Sequence, residues 1–520
     1  MGLQERPIVT TAKTGGKYWE HEYDSFFLKV YKPESMIDGQ VHNYGFRAPF
    51  LLVFEEEKMA ADEAVEFAET TGLANIAASY DASVLFVYPT CEGGWDNAEE
   101  NVYSDLIAET KLHFIYEDGI APVTEFFTNE FKGYFIRGTI FRADIYSYGK
   151  SADFVATKLL KKIDGQYLWG PGEITPACCS MERLSVIPKI MRDDIAFLSV
   201  GNSEEINQAF DGCKNLLVKD KADYEEDFRS FVRKYKMWCG NIEIEKDFEE
   251  MGVVEEAGYT LVNTHKAGYF AYYNEDLFKD GPVPLLIGFH GGGDSAMYFT
   301  FTTAWWEIAH EEKFLFVAVE NHQNVPASDA VQIIEDLKLK YNIDEKRIYA
   351  TGFSMGCGKT WDMFHEYPDI FAGLCPASAL FPVKDNPFGL SLGDPRLNMT
   401  TAVPFFYSGG EDSHLAELPC HADTALDRIK YLAQVNDLAA DFESVSFEDK
   451  DNWKDPKYGA EADEVEKVPN EPRDSVLNIR YYKSKDGKVR TALASVSNQV
   501  HECREHTCRA AWKFISKFSK

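Results

Sequence analysis

The sequence predicts an α/β fold made of two tandem domains, each built on a mostly parallel, doubly wound sheet. Short apolar runs of strand length alternate with helical stretches, which is the pattern of β-α-β units. The order of these runs after PLLIGF (284–289) repeats their order after PFLLVF (49–54), which indicates an internal duplication. We therefore predict one domain at 1–240 and a second at 241–520.

Charge and composition narrow the classes of partner. The 520 residues include 85 acidic and 53 basic side chains, which gives a formal net charge of −32. Such a surface repels phosphate backbones and anionic lipids, so we expect neither a nucleic acid nor a membrane as partner. The N-terminal stretch lacks the apolar run of a secretory signal, and we expect a cytoplasmic protein. The ten cysteines are scattered without a paired Cys-x-x-Cys spacing, so we expect no zinc site.

The stretch GFSMGCGKT (352–360) admits two interpretations. A phosphate-binding loop needs four residues between its first glycine and the Gly-Lys-Thr, whereas five residues separate Gly352 from Gly358. A nucleophile elbow needs a serine between an apolar strand and a helix, with small residues two positions before and after it. Ser354 meets these conditions, with Gly352 before it and Gly356 after it. The context therefore predicts Ser354 as a nucleophile.

A glycine-rich stretch, HGGGD (290–294), directly follows the strand-like PLLIGF. Acyl transfer needs backbone N–H groups at the developing oxyanion, one after the nucleophile and one from the loop after an earlier strand. Met355 follows Ser354, and Gly291 and Gly292 let a backbone approach a carbonyl closely. These three residues are the predicted oxyanion hole, and a simple tight turn is the alternative for the glycines.

An acid and a base should follow the serine in that order. Asp412 comes just after the strand-like VPFFYSGG, and Glu411 beside it is the competing candidate. His501 lies between the last predicted strand and a C-terminal helix, where a catalytic base is expected. We predict Asp412 as the acid and His501 as the base.

Loops that follow strands open at the carboxyl edge of the sheet, where ligands bind in such folds. On this basis we predict four substrate contacts: His290, His322, Phe381 and Phe388. A polar turn is the alternative for His322, and core packing of a long loop is the alternative for the two phenylalanines. The charged stretch 447–474 precedes the last strand, so we expect it at the opposite edge as a solvated insertion.

The motifs HGGGD, DEKRIYATGFSMG, FAGLCPASA and FFYSGGED, with a late histidine before AWKFISKF, resemble the α/β-hydrolase superfamily over roughly residues 250–520. Within it they are most similar to the polyhydroxybutyrate depolymerase-like and feruloyl-esterase-like branch. The resemblance implies an α/β-hydrolase fold for the second domain and a serine esterase with Ser354, His501 and Asp412 as triad, and the internal duplication then predicts a first domain that is α/β-hydrolase-like too. It further implies an acyl-enzyme and no metal or cofactor. Polymer-degrading relatives usually carry export signals, and since a cytoplasmic enzyme cannot meet an extracellular polymer, we expect small soluble esters, aryl or hydroxycinnamoyl esters among them. A serine peptidase or acyltransferase shares these motifs, and a non-catalytic binding protein is the alternative from another class.

The first half retains the scaffold pattern but lacks the chemistry. FEEEKM (54–59) stands where HGGGD is expected, and carboxylates there would repel an oxyanion. Ser151 aligns with Ser354, but the next histidine along the chain is His265. Since a serine without a base is an ordinary alcohol, we expect a non-catalytic domain. Its role is to pack against the active domain, to shape the pocket entrance, or to assemble a homo-oligomer.

Overall fold

Each half of the chain builds its own large β-sheet. The computed structural model divides the chain into two compact units, with the boundary between Glu249 and Glu250. The boundary predicted from the sequence lies about ten residues earlier, at 240. The structure describes residues 17–33, 48–111, 142–162, 175–189, 192–238, 241–246, 248–262, 265–292, 295–320, 322, 326–378, 384, 389–415, 417–419 and 422–520.

The first unit contains an eight-stranded sheet in the order β1-β2-β4-β3-β5-β6-β7-β8. Its strands are β1 (Lys17–Glu22), β2 (Phe26–Lys32), β3 (Phe50–Phe54), β4 (Val84–Pro89), β5 (Ala143–Tyr148), β6 (Cys178–Glu182), β7 (Ala196–Val200) and β8 (Leu216–Lys219). The strands from β4 to β8 in this order run parallel, and β1 and β2 are antiparallel. All five residues of β3 are buried and apolar, as expected of a central strand covered on both faces. A separate ribbon pairs β9 (Tyr235–Trp238) with β10 (Asn241–Ile244).

Short helices connect these strands. They are α1 (Ala61–Thr70), α2 (Leu73–Tyr80), α3 (Asn101–Lys111), α4 (Lys150–Phe154), α5 (Leu160–Lys162), α6 (Glu204–Gln208) and α7 (Tyr224–Ser230). Side chains cap several of their first turns. The Asp223 carboxylate accepts the Glu226 amide at the start of α7, which satisfies one of the orphan donors of a helix N-terminus.

The second unit contains a ten-stranded sheet in the order β11-β12-β14-β13-β15-β16-β17-β20-β19-β18. Its strands are β11 (Val253–Val262), β12 (His265–Asn274), β13 (Val283–Phe289), β14 (Leu315–Val319), β15 (Ile343–Phe353), β16 (Gly373–Ala377), β17 (Phe405–Gly410), β18 (Glu464–Asn470), β19 (Ser475–Lys483) and β20 (Val489–Val496). The strands from β14 to β20 in this order are parallel, and antiparallel strands flank them on both sides. The carboxyl ends of β13, β15 and β17 therefore meet at one edge of the sheet.

Six helices cover the faces of this sheet. They are α8 (Ala296–Thr302), α9 (Trp305–Glu312), α10 (Ala327–Lys340), α11 (Met355–Glu366), α12 (Asp423–Val435) and α13 (Glu505–Ile515). In α13 the buried Cys508, Trp512 and Ile515 recur every three or four residues, which places them on one face against the sheet. In the described parts of the chain, no helix combines the length and apolar character needed to cross a membrane.

The two sheets share a strand order over seven positions. From β2 to β8 the first sheet reads β2-β4-β3-β5-β6-β7-β8, and the second reads β12-β14-β13-β15-β16-β17-β20. In both, an antiparallel strand comes first and six parallel strands follow. The mostly parallel α/β architecture predicted from the alternating pattern is thus present in both units.

The charged stretch after α12 differs from its expected position. Lys457 Nζ lies 2.6 Å from Glu411 Oε2, directly beyond the carboxyl end of β17. Two contacts hold this segment on the sheet: Arg480 Nε donates to Asp455 at 2.6 Å, and the buried Tyr458 hydroxyl donates to the Ala494 carbonyl at 2.6 Å. The segment therefore reaches the carboxyl edge, and the expectation that it stays at the opposite edge was wrong.

Candidate active site

Ser354 occupies a sharp turn between β15 and α11. Its backbone has φ 54° and ψ −112°, a region that costs a non-glycine residue about 1–3 kcal/mol. A Cβ on Gly352 would lie 2.1 Å from the carbonyl oxygen of Gly356. A Cβ on Gly356 would lie 2.0 Å from the carbonyl oxygen of Phe289. Only glycines at these two positions allow β15, the end of β13 and the start of α11 to approach this closely.

Ser354, His501 and a buried glutamate form a chain of hydrogen bonds. The Nε2 atom of His501 lies 2.9 Å from Ser354 Oγ. The Nδ1 atom lies 3.0 and 3.1 Å from the two carboxylate oxygens of Glu417. A carboxylate only accepts, so Nδ1 carries the proton and Nε2 presents a lone pair to the serine hydroxyl. The arrangement can take a proton from Ser354 and stabilise the imidazolium that results.

The carboxylate that contacts His501 belongs to Glu417, so the prediction of Asp412 at this position was wrong. The Asp412 side chain is exposed, and its backbone amide donates to the Gln499 carbonyl at 3.0 Å. The competing candidate Glu411 accepts from Ser495 Oγ at 2.7 Å and pairs with Lys457. The Glu417 side chain is fully buried, and that of His501 is 16% exposed. The Glu411 side chain and the Asp412 backbone amide therefore hold the loop after β17, and the Glu417 carboxylate reaches the imidazole.

The sequence prediction missed Glu417 because it assumed that the acid directly follows its strand. The chain instead continues past the end of β17 at Gly410 before Glu417 turns inwards. Leu418, directly after it, is buried, and the hydroxyl of Tyr407 donates to its carbonyl at 2.9 Å. The available signal was a single carboxylate among the apolar residues of AELPC. An acid that is buried in such a segment needs a partner, because acids are rarely buried unless they are paired.

The glycine loop lies against the residue that follows the nucleophile. Met355 is the first residue of α11, so its amide belongs to the unsatisfied donors of a helix N-terminus. A Cβ on Gly292 would fall 2.4 Å from the sulfur of Met355, which shows how closely the loop approaches. Gly292 thus lies against Met355, directly beside Ser354 along the chain, and an oxyanion hole built from the amides of Gly291, Gly292 and Met355 stays a prediction.

Two of the four predicted substrate contacts, His290 and His322, are buried. His290 and His322 are each only 1% exposed, so their side chains lie beneath the site and have almost no surface to offer a substrate. Burial lowers the pKa of His290 to about 4 and that of His322 well below its usual value, so both imidazoles are neutral at pH 7. Phe381 and Phe388 lie outside the described residues.

The corresponding turn of the first sheet carries a glycine. Gly149 follows β5 and precedes α4 with φ 58° and ψ −124°, close to the values of Ser354. Ser151, which the sequence aligned with Ser354, instead donates its hydroxyl to the Phe54 carbonyl at 2.7 Å. Phe54 ends β3 as Phe289 ends β13, so Ser151 corresponds to Gly356 and the predicted alignment was wrong by two residues.

A carboxylate fills the space above that glycine. A Cβ on Gly149 would lie 1.9 Å from Glu56 Oε1, and the Glu56 carboxylate pairs with Arg183 at 2.8 Å. The neighbouring Glu55 is buried and pairs with Lys29 at 2.8 Å. Glu55 and Glu56 therefore follow β3 where His290 and Gly291 follow β13 in the second unit.

No protein-family model matches the chain. Over 136 residues it is 32% identical to the bifunctional acetylxylan esterase/xylanase of Neocallimastix patriciarum, a match that covers 24% of this chain and 19% of that protein. Over 128 residues it is 27% identical to the poly(3-hydroxyalkanoate) depolymerase C of Paucimonas lemoignei, which covers 20% of this chain and 31% of that protein. The chain thus spans less than a third of the length of either relative.

Among solved structures, the acetyl xylan esterase of Aspergillus awamori matches 50% of this chain and 99% of its own, with a TM-score of 0.35 and 11% identity. So weak a likeness adds no argument about the fold, which rests on the strand order described above. The partial sequence matches confirm the resemblance to esterases that the motifs predicted: part of the chain is similar to an acetylxylan esterase and to a poly(3-hydroxyalkanoate) depolymerase.

Proposed function

We propose that the protein is a serine-dependent carboxylic-ester hydrolase that works through an acyl-enzyme. The observation that carries the proposal is the unbroken contact from Glu417 through His501 to Ser354 Oγ. Three side chains far apart in sequence meet in the order and protonation state that nucleophilic catalysis by a serine needs. The named relatives support the reaction class, since one is an acetylxylan esterase.

In this mechanism His501 accepts the proton of Ser354 as the serine oxygen attacks the ester carbonyl. The negative charge that develops on the carbonyl oxygen is met by the backbone amides of Gly291, Gly292 and Met355. Each such donor contributes about 10²–10³ in rate because it is already oriented in a site with little water. His501 then protonates the departing alcohol, and a water molecule releases the acid through the same imidazole.

We infer that the first unit is a non-catalytic relative of the second. The shared strand order supports duplication, and Gly149 at the turn together with the Glu56 carboxylate removes both nucleophile and oxyanion donors. The substrates we propose are small soluble esters, with acetyl and hydroxycinnamoyl esters as the first to test. A serine peptidase or acyltransferase is the competing activity on the same site.

A fluorophosphonate probe tests the nucleophile. We expect one label per chain on the wild-type protein and none on Ser354→Ala, with Ser151→Ala as the matched control that labels normally. Label retained in Ser354→Ala would show that another serine is the nucleophile.

A substrate panel tests the reaction class. We expect turnover of p-nitrophenyl acetate and methyl ferulate and none of peptide p-nitroanilides. Acyl transfer to added alcohols in preference to water would instead favour an acyltransferase.

A further inference from the structure

His322 is buried beneath the glycine loop and contacts its backbone. Its Nε2 atom lies 2.5 Å from the carbonyl oxygen of His290, and the two imidazole rings meet edge to face with centroids 4.6 Å apart. His322 follows β14, so a residue from one strand end holds the loop that follows the neighbouring β13. The reaction proposed above makes no use of this side chain.

The tautomer of His322 follows from its partner. A carbonyl oxygen only accepts, so Nε2 carries the proton and donates it to His290. The Nδ1 atom is buried and has no hydrogen-bond partner among the described residues. Among the described residues, this ring, which is 1% exposed and neutral at pH 7, therefore makes one hydrogen bond, and its acceptor is the first carbonyl of the glycine loop.

Holding a carbonyl fixes the amide on the same peptide. The peptide unit is planar and trans, so its N–H points opposite to its C=O. When His322 holds the His290 carbonyl, the Gly291 amide of that unit is directed away from His322. The next unit is held likewise, because Nδ1 of His290 lies 2.7 Å from the Gly291 carbonyl oxygen, which directs the Gly292 amide.

Glycines need such an outside constraint more than other residues do. Without a Cβ they adopt many backbone conformations with similar energy, so a glycine loop on its own does not keep an amide in one direction. Oxyanion stabilisation depends on donors that are oriented before the reaction, since reorientation during the reaction costs part of the gain. A rigid, buried ring that binds the loop can therefore keep its amides in one direction.

We propose that His322 is a positioning residue for the oxyanion hole: its Nε2–H holds the His290 carbonyl and so directs the Gly291 amide at the developing oxyanion. The inference rests on the proposed ester hydrolysis and adds a residue that touches neither substrate nor triad. His290 supplies the matching constraint for Gly292 from within the loop.

Two substitutions of similar polarity separate this role from simple packing. His322→Gln places an amide N–H where Nε2 stands, and His322→Asn places its amide at the position of Nδ1, short of the carbonyl. We expect His322→Asn to lower kcat on p-nitrophenyl acetate about 10²-fold with KM nearly unchanged, which is the loss of about one oxyanion donor. His322→Gln should stay within about tenfold of the wild type.

Affinity for a boronic acid is the second readout, because its tetrahedral adduct with Ser354 places an oxygen at the oxyanion position. His322→Asn should weaken boronate binding by the same factor as kcat/KM. Wild-type kcat in His322→Asn, or equal losses in both variants at wild-type thermal stability, would overturn the proposal. If His322→Asn does not fold, a folded His322→Gln whose kcat is about 10²-fold lower than that of the wild type would also overturn the proposal.

The same assays separate this proposal from the proposed function. Wild-type protein that neither hydrolyses the ester nor takes a fluorophosphonate label overturns both. An active, labelled His322→Asn with wild-type kcat overturns the role of His322 alone.

Discussion

Replacing Glu417 by glutamine should inactivate the enzyme while leaving its shape in place. In the native site both carboxylate oxygens lie within hydrogen-bond distance of His501 Nδ1, and the carboxylate is shielded from water. An amide of the same size can turn its NH₂ group towards the ring. It then donates to Nδ1, so the ring proton moves to Nε2 and faces Ser354.

This change of tautomer determines how far kcat falls in Glu417→Gln. With a proton on Nε2, His501 has no lone pair for the hydrogen of Ser354, and the first step of acyl transfer loses its base. The buried carboxylate that stabilised the imidazolium is lost as well. For the same change in a serine triad the cost is about 10⁴-fold in kcat, which is about 5.5 kcal/mol of transition-state stabilisation.

Asp412→Asn is the matched control, since it removes a carboxylate from the same loop but from an exposed position. We expect kcat on p-nitrophenyl acetate to fall about 10³–10⁴-fold in Glu417→Gln and less than about threefold in Asp412→Asn. Thermal unfolding of both variants checks that the fold is retained. The opposite pattern, a large loss in Asp412→Asn alone, would refute the assignment of the acid and restore the choice made from sequence.

Three further predictions follow from close contacts and burial. Gly356→Ala places a Cβ 2.0 Å from the Phe289 carbonyl oxygen, so we expect a loss of about 1–3 kcal/mol in the free energy of unfolding and reduced fluorophosphonate labelling; full activity at wild-type stability would contradict it. Burial lowers the pKa of His290 from 6.5 to about 4, so the unfolded chain binds a proton that the folded chain does not bind between these values, and stability falls as the pH falls. At pH 5 this group accounts for about 2 kcal/mol, and urea unfolding of His290→Gln should show a correspondingly smaller loss from pH 7 to pH 5; an equal loss would contradict the shift. Gly149→Ser in a Ser354→Ala background should remain unlabelled by a fluorophosphonate, and label on the new serine would show that the first unit can still activate a nucleophile.

The sequence was sufficient where a position depends on neighbours along the chain. The place of Ser354 at a strand-to-helix turn could be predicted because a strand, a small residue on each side and a helix follow one another within one short segment. His501 could be predicted because a histidine between the last strand and the last helix of such a sheet lies at the carboxyl edge. The mostly parallel sheets followed from the alternation of buried strands and helices.

The sequence failed where function depends on the path of a loop. Glu417 reaches His501 only because the chain runs past Asp412 and turns inwards, and no periodic pattern records such a path. His322 was predicted to meet substrate because it follows a strand, but the ring points beneath the glycine loop to His290. The two-residue error at Ser151 has the same origin, since the position of the turn is set by which strands it packs between.

The turn at Gly149 shows where the strain of the elbow comes from. Ser354 and Gly149 have φ and ψ within about fifteen degrees of each other, although one carries a nucleophile and the other has no side chain. The conformation is therefore a property of a parallel strand that ends against its neighbour and turns directly into a helix. A serine in this conformation carries backbone strain, whereas a glycine adopts the same φ and ψ without it. If the first unit is the non-catalytic relative proposed above, glycine is the stabilising residue at this turn, because it adopts the same backbone conformation without strain.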